Sequence, residues 1–555
     1  MSRFIDAVVS AARGSDTGIR VLDSSGAVTA LSWSQVREHA HEMVVGLAGR
    51  GIRPGDRIAA LVADPREVGP LVQGAWLRGA AVTLLQQPTQ RVDLQSWVHT
   101  TVGLLKAIDP SMCVIGTEFA GLAAAFAEAG VAVVTVDALA VGGVPVTDTD
   151  SAEDDVALLQ LSSGSTGTPK VVAITHKGMY ENWAALAGNC SFDANSDRMV
   201  SWLPLFHDLG MIGFMAGPMQ SGMDVVSVRP EHFLASPSIW PELITEYGGT
   251  VTGGPNFAYA VLARTLESAV SSAFDLSSLR VVVNGGEPVD ARTLRHLTEA
   301  GYRFGLKPES LVMGYGMAEA TLGIAGTRPG EQYRTENIDF DRLENERYAA
   351  VAPPLGEYRR REMVVIGRAM PGMGIRVVDD HGARQHPRAV GEIQIRGAAV
   401  TRRYRTTEGW QDACDGSGWL KTGDLGYLTE AGEVVICGRK KDTIIIAGRN
   451  IFPTHIEWAA GQVDGVRAGN TAAVRVVNDG RESFAVLVES RMHGDDDHVV
   501  RICAAVTQRV VDEVGISPRE VIVLAPGQLP KTSSGKIRRS VAATLCAAGA
   551  QDQDD

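Results

Sequence analysis

Long apolar runs are missing from this 555-residue chain. No stretch approaches the roughly 18 consecutive apolar residues of a membrane-spanning helix. The N-terminus, MSRFIDAVVSAARGSD, has neither the apolar core nor the cleavage pattern of a secretory signal. Paired cysteines are missing too. The six cysteines, at 113, 190, 414, 437, 503 and 546, have no disulfide-framework or metal spacing. The twelve histidines form no H-x-x-x-H cluster. Positive charge is not in excess: 52 Lys and Arg against 65 Asp and Glu leave −13, which disfavours a nucleic-acid or anionic-membrane surface as the main role. The expectation is a cytoplasmic protein with reduced thiols, no structural zinc, no membrane span and no nucleic-acid partner.

What is present has a normal globular balance, 45% hydrophobic and 21% charged. The length exceeds one ordinary core, so roughly two to four domains are expected. A helix is predicted from Ser32 to Gly51: Ser32 and Gln35 have capping-box spacing, and apolar residues fall at 36, 40, 43, 44 and 47. A strand is expected near 57–62, and β-branched segments follow at 131–136, 225–228, 281–283 and 311–313. Helical stretches such as 290–299 lie between them, and this alternation implies α/β layers with largely parallel strands. After about residue 390 the texture changes to short Gly-punctuated strands, GEIQIRG, GEVVICG and DTIIIAG. Past Lys441 the pattern is a small α+β unit, with strands near 472–477, 483–489 and 520–524 and a helix near 496–514. The polar run Gly438–Asp442 between apolar strands reads as a domain junction, and AAGAQDQDD as a frayed acidic tail.

Residues 160–171 read QLSSGSTGTPKV, a small-residue loop between two apolar strand-like runs, 156–161 and 171–174. By composition alone it could be a surface turn. Its flanks favour a built feature, in which backbone N–H groups and hydroxyls wrap anionic oxygens and a lysine balances their charge. It lacks the G-x-x-x-x-G-K-[ST] order of the kinase and GTPase P-loop. Further segments carry chemistry-ready residues: WLPLFHDLGMIG with His207, NGGEPV at 284–289, GYGMAEAT with Tyr315 and Glu319, WLKTGDLGYL with Asp424, GRKKD with Arg439, and LPKTSSGKIRR with Lys536. Each alone has an ordinary reading as a core histidine, a turn aspartate, a helix-start carboxylate or a solvated lysine.

In this order, SSGSTGTPK, YGMAEAT, TGD, GRKKD and PKTSSGK resemble the adenylate-forming superfamily of acyl-CoA ligases, nonribosomal adenylation domains and luciferases, over roughly residues 25–545. The resemblance implies a large N-terminal domain of layered, mostly parallel sheets with helices plus a β-rich subdomain (1–437), a hinge (438–442) and a small mobile α+β domain (443–555). It implies that Ser163, Gly164, Ser165, Thr166, Gly167 and Lys170 grip the ATP phosphates. Gly286, Glu287 and Pro288 look like the adenine wall, Tyr315 the stacking ring beside Gly316 and Met317, and Asp424 and Arg439 the ribose clamp. Glu319 looks like the Mg²⁺ ligand, Lys441 the hinge residue, and Lys536, with His207, the catalytic group. An acyl tunnel is expected at His207, Asn256, Gly285 and Gly316.

Three stretches point to the fatty acyl-AMP ligases: LPLFHDLGMIG, GGPNFAYA at 253–260, and a 45-residue interval between Thr321 and Gly367. In that branch an insertion here packs between the domains and hinders thioester formation with CoA. Its aromatics, Tyr333, Phe340, Tyr348 and Tyr358, are expected to dock it. GRN-x-x-P-x-x-I-E at 448–457 agrees. Two positions depart from common patterns: Ala318, a departure that branch shares, and Val171, expected to narrow the phosphate loop slightly. The implied function is ATP- and Mg²⁺-dependent activation of a fatty acid to acyl-AMP, with transfer to the phosphopantetheine thiol of an acyl carrier protein. The alternative is a fatty acyl-CoA ligase. A non-catalytic binding scaffold is disfavoured because Glu319, Asp424, Arg439 and Lys536 are all present.

Overall fold

The computed structural model describes residues 1–23, 25–88, 93–140, 147–162, 170–353, 359–446, 449–467, 469–478, 481–531 and 537–549. Two compact units emerge. The first comprises 1–333, 366–375 and 395–420, and the second 334–365, 376–394 and 421–555. The polar run Gly438–Asp442 lies inside the second. Among the described residues no helix is long and apolar enough to cross a membrane.

The first unit is built on two large sheets. In one, the strands Gly18–Leu22, Asp224–Val228, Arg198–Ser201, Val251–Gly254, Val281–Gly285 and Leu311–Gly316 run parallel in that spatial order. Antiparallel strands close both edges. In the other, a parallel block (Val133–Thr135, Met112–Ile115, Arg57–Leu61, Ala81–Leu84, Val156–Ser162) ends in the antiparallel strands Lys170–Thr175, Arg403–Thr406 and Gly409–Asp412. This is the layered α/β class expected, because apolar strands buried on both faces need helical crossovers to run parallel.

Local rules held where local chemistry decides. Ser32 caps the helix Trp33–Gly49, and its reciprocal partner is Gln35, a full capping box. Asp290 caps Ala291–Tyr302 through Arg292 N–H. The strand expected at 131–136 shortens to Val133–Thr135, because the Thr135 hydroxyl accepts from Ala138 N–H and starts a helix at Val136. The apolar runs flanking the small-residue loop form the antiparallel hairpin Val156–Ser162 and Lys170–Thr175. Val171 is fully buried in a core with Leu159, Ala173 and Ile115, so its side chain fills the core; the loop it was expected to narrow, 163–169, lies outside the described residues.

In the second unit, Ile444–Ile446 pairs with Arg449–Ile451, and Thr471–Asn478, Arg481–Glu489 and Glu520–Leu524 form a three-stranded sheet. The helices Pro453–Ala460 and Asp496–Val514 share a core with this sheet through Ile456, Val486, Val506 and Val510. The 321–367 interval contributes a strand–helix–strand motif to this unit. Thr335–Asp339 pairs antiparallel with Arg360–Val364, and the helix Phe340–Glu346 lies between them. Ile338, Phe340, Leu343 and Met363 enter one core with Leu425, Tyr427, Val435 and Phe452.

One side chain acts as a strand partner in the first unit. Asn182, 1% exposed, donates to Gly323 O at 2.8 Å and accepts from Gly323 N at 2.9 Å. Asn182→Leu strands both backbone groups in an apolar setting and is expected to cost ~2–4 kcal/mol. Urea unfolding measures this. An unchanged midpoint would mean that water replaces both bonds.

Candidate active site

Parallel pairing decides what meets what. The strands Arg198–Ser201, Val251–Gly254, Val281–Gly285 and Leu311–Gly316 are neighbours in register, Gly254 opposite Asn284 and Gly285 opposite Gly314. Their carboxyl ends therefore share one rim, where open α/β sheets bind ligands. The segments leaving that rim carry His207, Asn256, Gly285–Pro288 and Tyr315–Glu319. These expected site residues are brought together.

Several owe their place to backbone geometry. Gly286 sits at φ +83° with open space where a side chain would be, and Gly286 and Pro288 are exposed. The Glu287 carboxylate accepts from Phe257 N–H, which ties this turn to the next helix. Asn256 braces the same rim. Its Oδ1 accepts from Asn284 Nδ2 and from Asp290 N, both at 3.2 Å, and its amide donates to Thr293 Oγ1 at 3.3 Å. A Cβ on Gly285 would lie 2.8 Å from Gly314 O, and one on Gly316 would lie 2.0 Å from Leu322 O. Both glycines are thus required by close backbone approach. The direction a side chain at 316 would take is into its neighbouring strand.

His207 precedes a buried π-helical turn, Leu209–Ala216, whose first N–H is capped by Asp208 at 2.7 Å. The His207 ring lies 3.6 Å from the Asp208 carboxylate, and Gln160 donates to Phe206 O at 2.7 Å, holding this segment to the hairpin strand. Such turns are uncommon and cluster at functional sites.

Glu319 lies in a short 3₁₀ turn, Ala318–Ala320. The next residue, Thr321, has φ +68°, a costly conformation for a β-branched residue. It is held there by its hydroxyl, which donates to Ala399 O at 2.8 Å. Thr401 N donates to Glu319 O at 2.8 Å. Tyr404, on the strand Arg403–Thr406, directs its hydroxyl to Glu319 Oε1 at 3.5 Å, and its ring lies 5.4 Å from Lys170 Nζ. Burial, and secondarily the Glu319 charge, raise the Tyr404 phenol, so it stays a donor. Neither Tyr404 nor Thr321 was singled out from the sequence. TRRYRT has no pattern that marks its tyrosine, and backbone strain leaves no mark in composition.

In the second unit, Asp424 and Arg439 stand opposite each other on antiparallel strands, and Arg439 Nε meets Asp424 Oδ1 at 2.7 Å. Asp424 is 5% exposed, while the Arg439 side chain is about half exposed. Lys441 is exposed in a short 3₁₀ turn. Its neighbour Asp442 pairs with Arg539 at 3.3 Å, and Arg539 also clasps Glu457 at 2.7 Å. Lys531 and Ile537, which flank residues 532–536 in sequence, form an isolated antiparallel bridge. Lys536 itself, and Ser163 to Gly167, lie outside the described residues.

The family model of AMP-binding enzymes matches residues 10–405, more than half of the chain. This chain belongs to the AMP-binding enzyme family. A Mycobacterium tuberculosis protein named only as a ligase, Rv1013, is 42% identical over 98% of this chain and 100% of its own length. The medium-chain-fatty-acid–[acyl-carrier-protein] ligase JamA of Moorena producens is 33% identical over 73% of this chain and 70% of its own. Among solved structures, one from a study of fatty acyl-adenylate ligases of E. coli and L. pneumophila superimposes with a TM-score of 0.92 at 28% identity, covering 100% of this chain and 99% of that one. The fatty acyl-AMP ligase resemblance read from the sequence thus holds within the AMP-binding family.

The Leu322 carbonyl makes Gly316 a sharp test of this rim. Gly316→Ala is expected to lower thermal stability and to reduce activity on all acyl chain lengths alike. A selective loss of long chains in a stable protein would mean that residue 316 faces a tunnel instead.

Proposed function

We propose that this chain adenylates a fatty acid and delivers the acyl group to a carrier-protein thiol. Adenylation must bring a carboxylate onto the α-phosphorus of ATP, anion against anion. Lys536 offsets that repulsion by reaching both the carboxylate and the α-phosphate as the new P–O bond forms and pyrophosphate leaves. The loop 163–170 holds the departing phosphates, Gly286–Pro288 and Tyr315 hold the adenine, and Asp424 with Arg439 holds the ribose. His207 and Asn256 flank the acyl entrance.

Among the described residues no three His, Cys, Asp or Glu side chains gather into a metal cage. A single half-buried carboxylate is nevertheless what Mg²⁺ takes from a protein when phosphate oxygens and water complete its shell. Glu319 fits that donor set. Bound there, the ion would neutralise phosphate charge.

The observation that supports an acyl-AMP product over a CoA thioester is the docking of the 334–365 segment on the C-terminal part of its own unit. Glu344 is fully buried and meets Arg449 at 2.5 Å and Arg359 at 3.6 Å. Burial pushes the Glu344 carboxyl up, against the pull of Arg449 and Arg359. Arg359 donates to Glu513 O at 2.7 Å, Arg449 to Val514 O at 2.7 Å, and Asn450 to Glu344 O at 3.1 Å. Arg361 lies over the Trp458 ring at 5.5 Å. Among the described residues, Phe340 enters the shared core, together with aliphatics and Arg–Glu pairs. Tyr348 is only half-buried and packs on Arg342, and Tyr358 lies outside the described residues. JamA, named for transfer to an acyl carrier protein, supports the acceptor.

Two outcomes check this reading. With ATP, Mg²⁺ and fatty acids of graded length, the protein should form acyl-AMP and charge a carrier protein while making little acyl-CoA. Rapid acyl-CoA turnover would replace this reading with that of a CoA ligase. Lys536→Ala should cut single-turnover acyl-AMP yield by about 10²–10³ while ATP affinity stays near wild type. Near-normal adenylation would remove Lys536 from its role.

A further inference from the structure

Three contacts converge on one short segment, residues 399–404. Ala399 O anchors the strained Thr321, Thr401 N holds the Glu319 carbonyl, and Tyr404 OH reaches the Glu319 carboxylate. The same segment is fixed to the hairpin that carries the small-residue loop. Tyr404 is in register with Val172, and the Thr401 hydroxyl donates to Ala173 O at 2.6 Å. The face of the Tyr404 ring lies 5.4 Å from the Lys170 ammonium, on the first residue after that loop. One side chain thus contacts both the Glu319 carboxylate and the lysine that follows the small-residue loop in sequence.

We propose that Tyr404 is a positioning residue that sets the Glu319 carboxylate for the phosphate-borne divalent cation and steadies Lys170 for the phosphates. The assignment rests on the adenylation reading for the identity of the ligand. The phenol hydroxyl donates to one Glu319 oxygen, which restrains the orientation of the carboxylate. The ring supplies an electron-rich face to the ammonium. The two roles are separable, because phenylalanine keeps the ring and loses the donor.

The test is calorimetric titration of ATP into the full-length protein, once with EDTA and once with Mg²⁺. In Tyr404→Phe, ATP affinity in EDTA should stay within roughly twofold of wild type, while the gain conferred by Mg²⁺ falls about fivefold, as for one ordinary hydrogen bond. In Tyr404→Leu, affinity in EDTA should also fall, about threefold, because Lys170 loses its aromatic face. A Tyr404→Phe protein with the wild-type Mg²⁺ gain overturns the proposal. Thermal melting of each variant is recorded beside the titrations. A double variant guards against a purely structural effect: in a Glu319→Gln background, Tyr404→Phe should change the Mg²⁺ gain no further, and an additional independent loss overturns the coupling. Nucleotide binding is read without any acyl substrate, so failure of the fatty-acid reading, seen in the product assay, is distinguishable from failure of this one.

Discussion

Between the strands Val281–Gly285 and Leu311–Gly316, and between the latter and Gly323–Gly326, the backbones come too close for a side chain at Gly285 or Gly316. The remainder of the rim depends on that approach. It sets the register in which Gly285 faces Gly314, so the turn Gly286–Pro288 and the segment Tyr315–Glu319 leave the sheet side by side. Asn182 fixes the outer strand by imitating a strand partner, and Asn256 braces the turn at 284–290. The buried polar groups here are spent on holding backbone. This is what a site needs if exposed backbone, more than side chains, is to lie against a flat ring.

The sequence was most legible where a short-range rule decides the structure. Ser32 and Gln35 are three residues apart, and their capping box forms as spacing demands. The alternation of apolar strands and helices yielded the parallel sheets, because the burial of both strand faces is written into each run separately. The nucleotide-site segments were legible only as an ordered set of motifs, since each has an ordinary structural reading. What was not legible depends on partners far away in the chain. Val171 looked like part of the phosphate loop, but strand alternation turns it into the core and leaves Lys170 on the other face. Tyr404 lies 85 positions from Glu319. Glu344 carries no mark in the sequence, yet it is fully buried, and only the fold supplies Arg449 105 positions later.

The insertion shows how a charged segment can dock without a large apolar face. A buried Arg–Glu pair adds little net stability when intact, because desolvation offsets the attraction. Breaking it from one side is another matter, since the uncompensated charge left behind costs ~3–5 kcal/mol. Such a pair gives little adhesion but strong registration. Glu344 with Arg449 and Arg359, and Arg388 with Glu336, both have this character, while Phe340 and its aliphatic neighbours supply the adhesion.

Registration and adhesion together can control which product forms. Reducing a thioester-forming arrangement to about 1% of the population requires only ~3 kcal/mol of bias. The insertion therefore does not need to act as an immovable block. On the proposed function, a docking energy of a few kcal/mol, specified by Glu344 and Arg449, would be enough to hold acyl-CoA formation down while leaving adenylation untouched. On the proposed function the two steps would draw on different contacts: adenylation on the rim and the Glu319–Tyr404–Lys170 group, and acceptor choice on the segment 334–365.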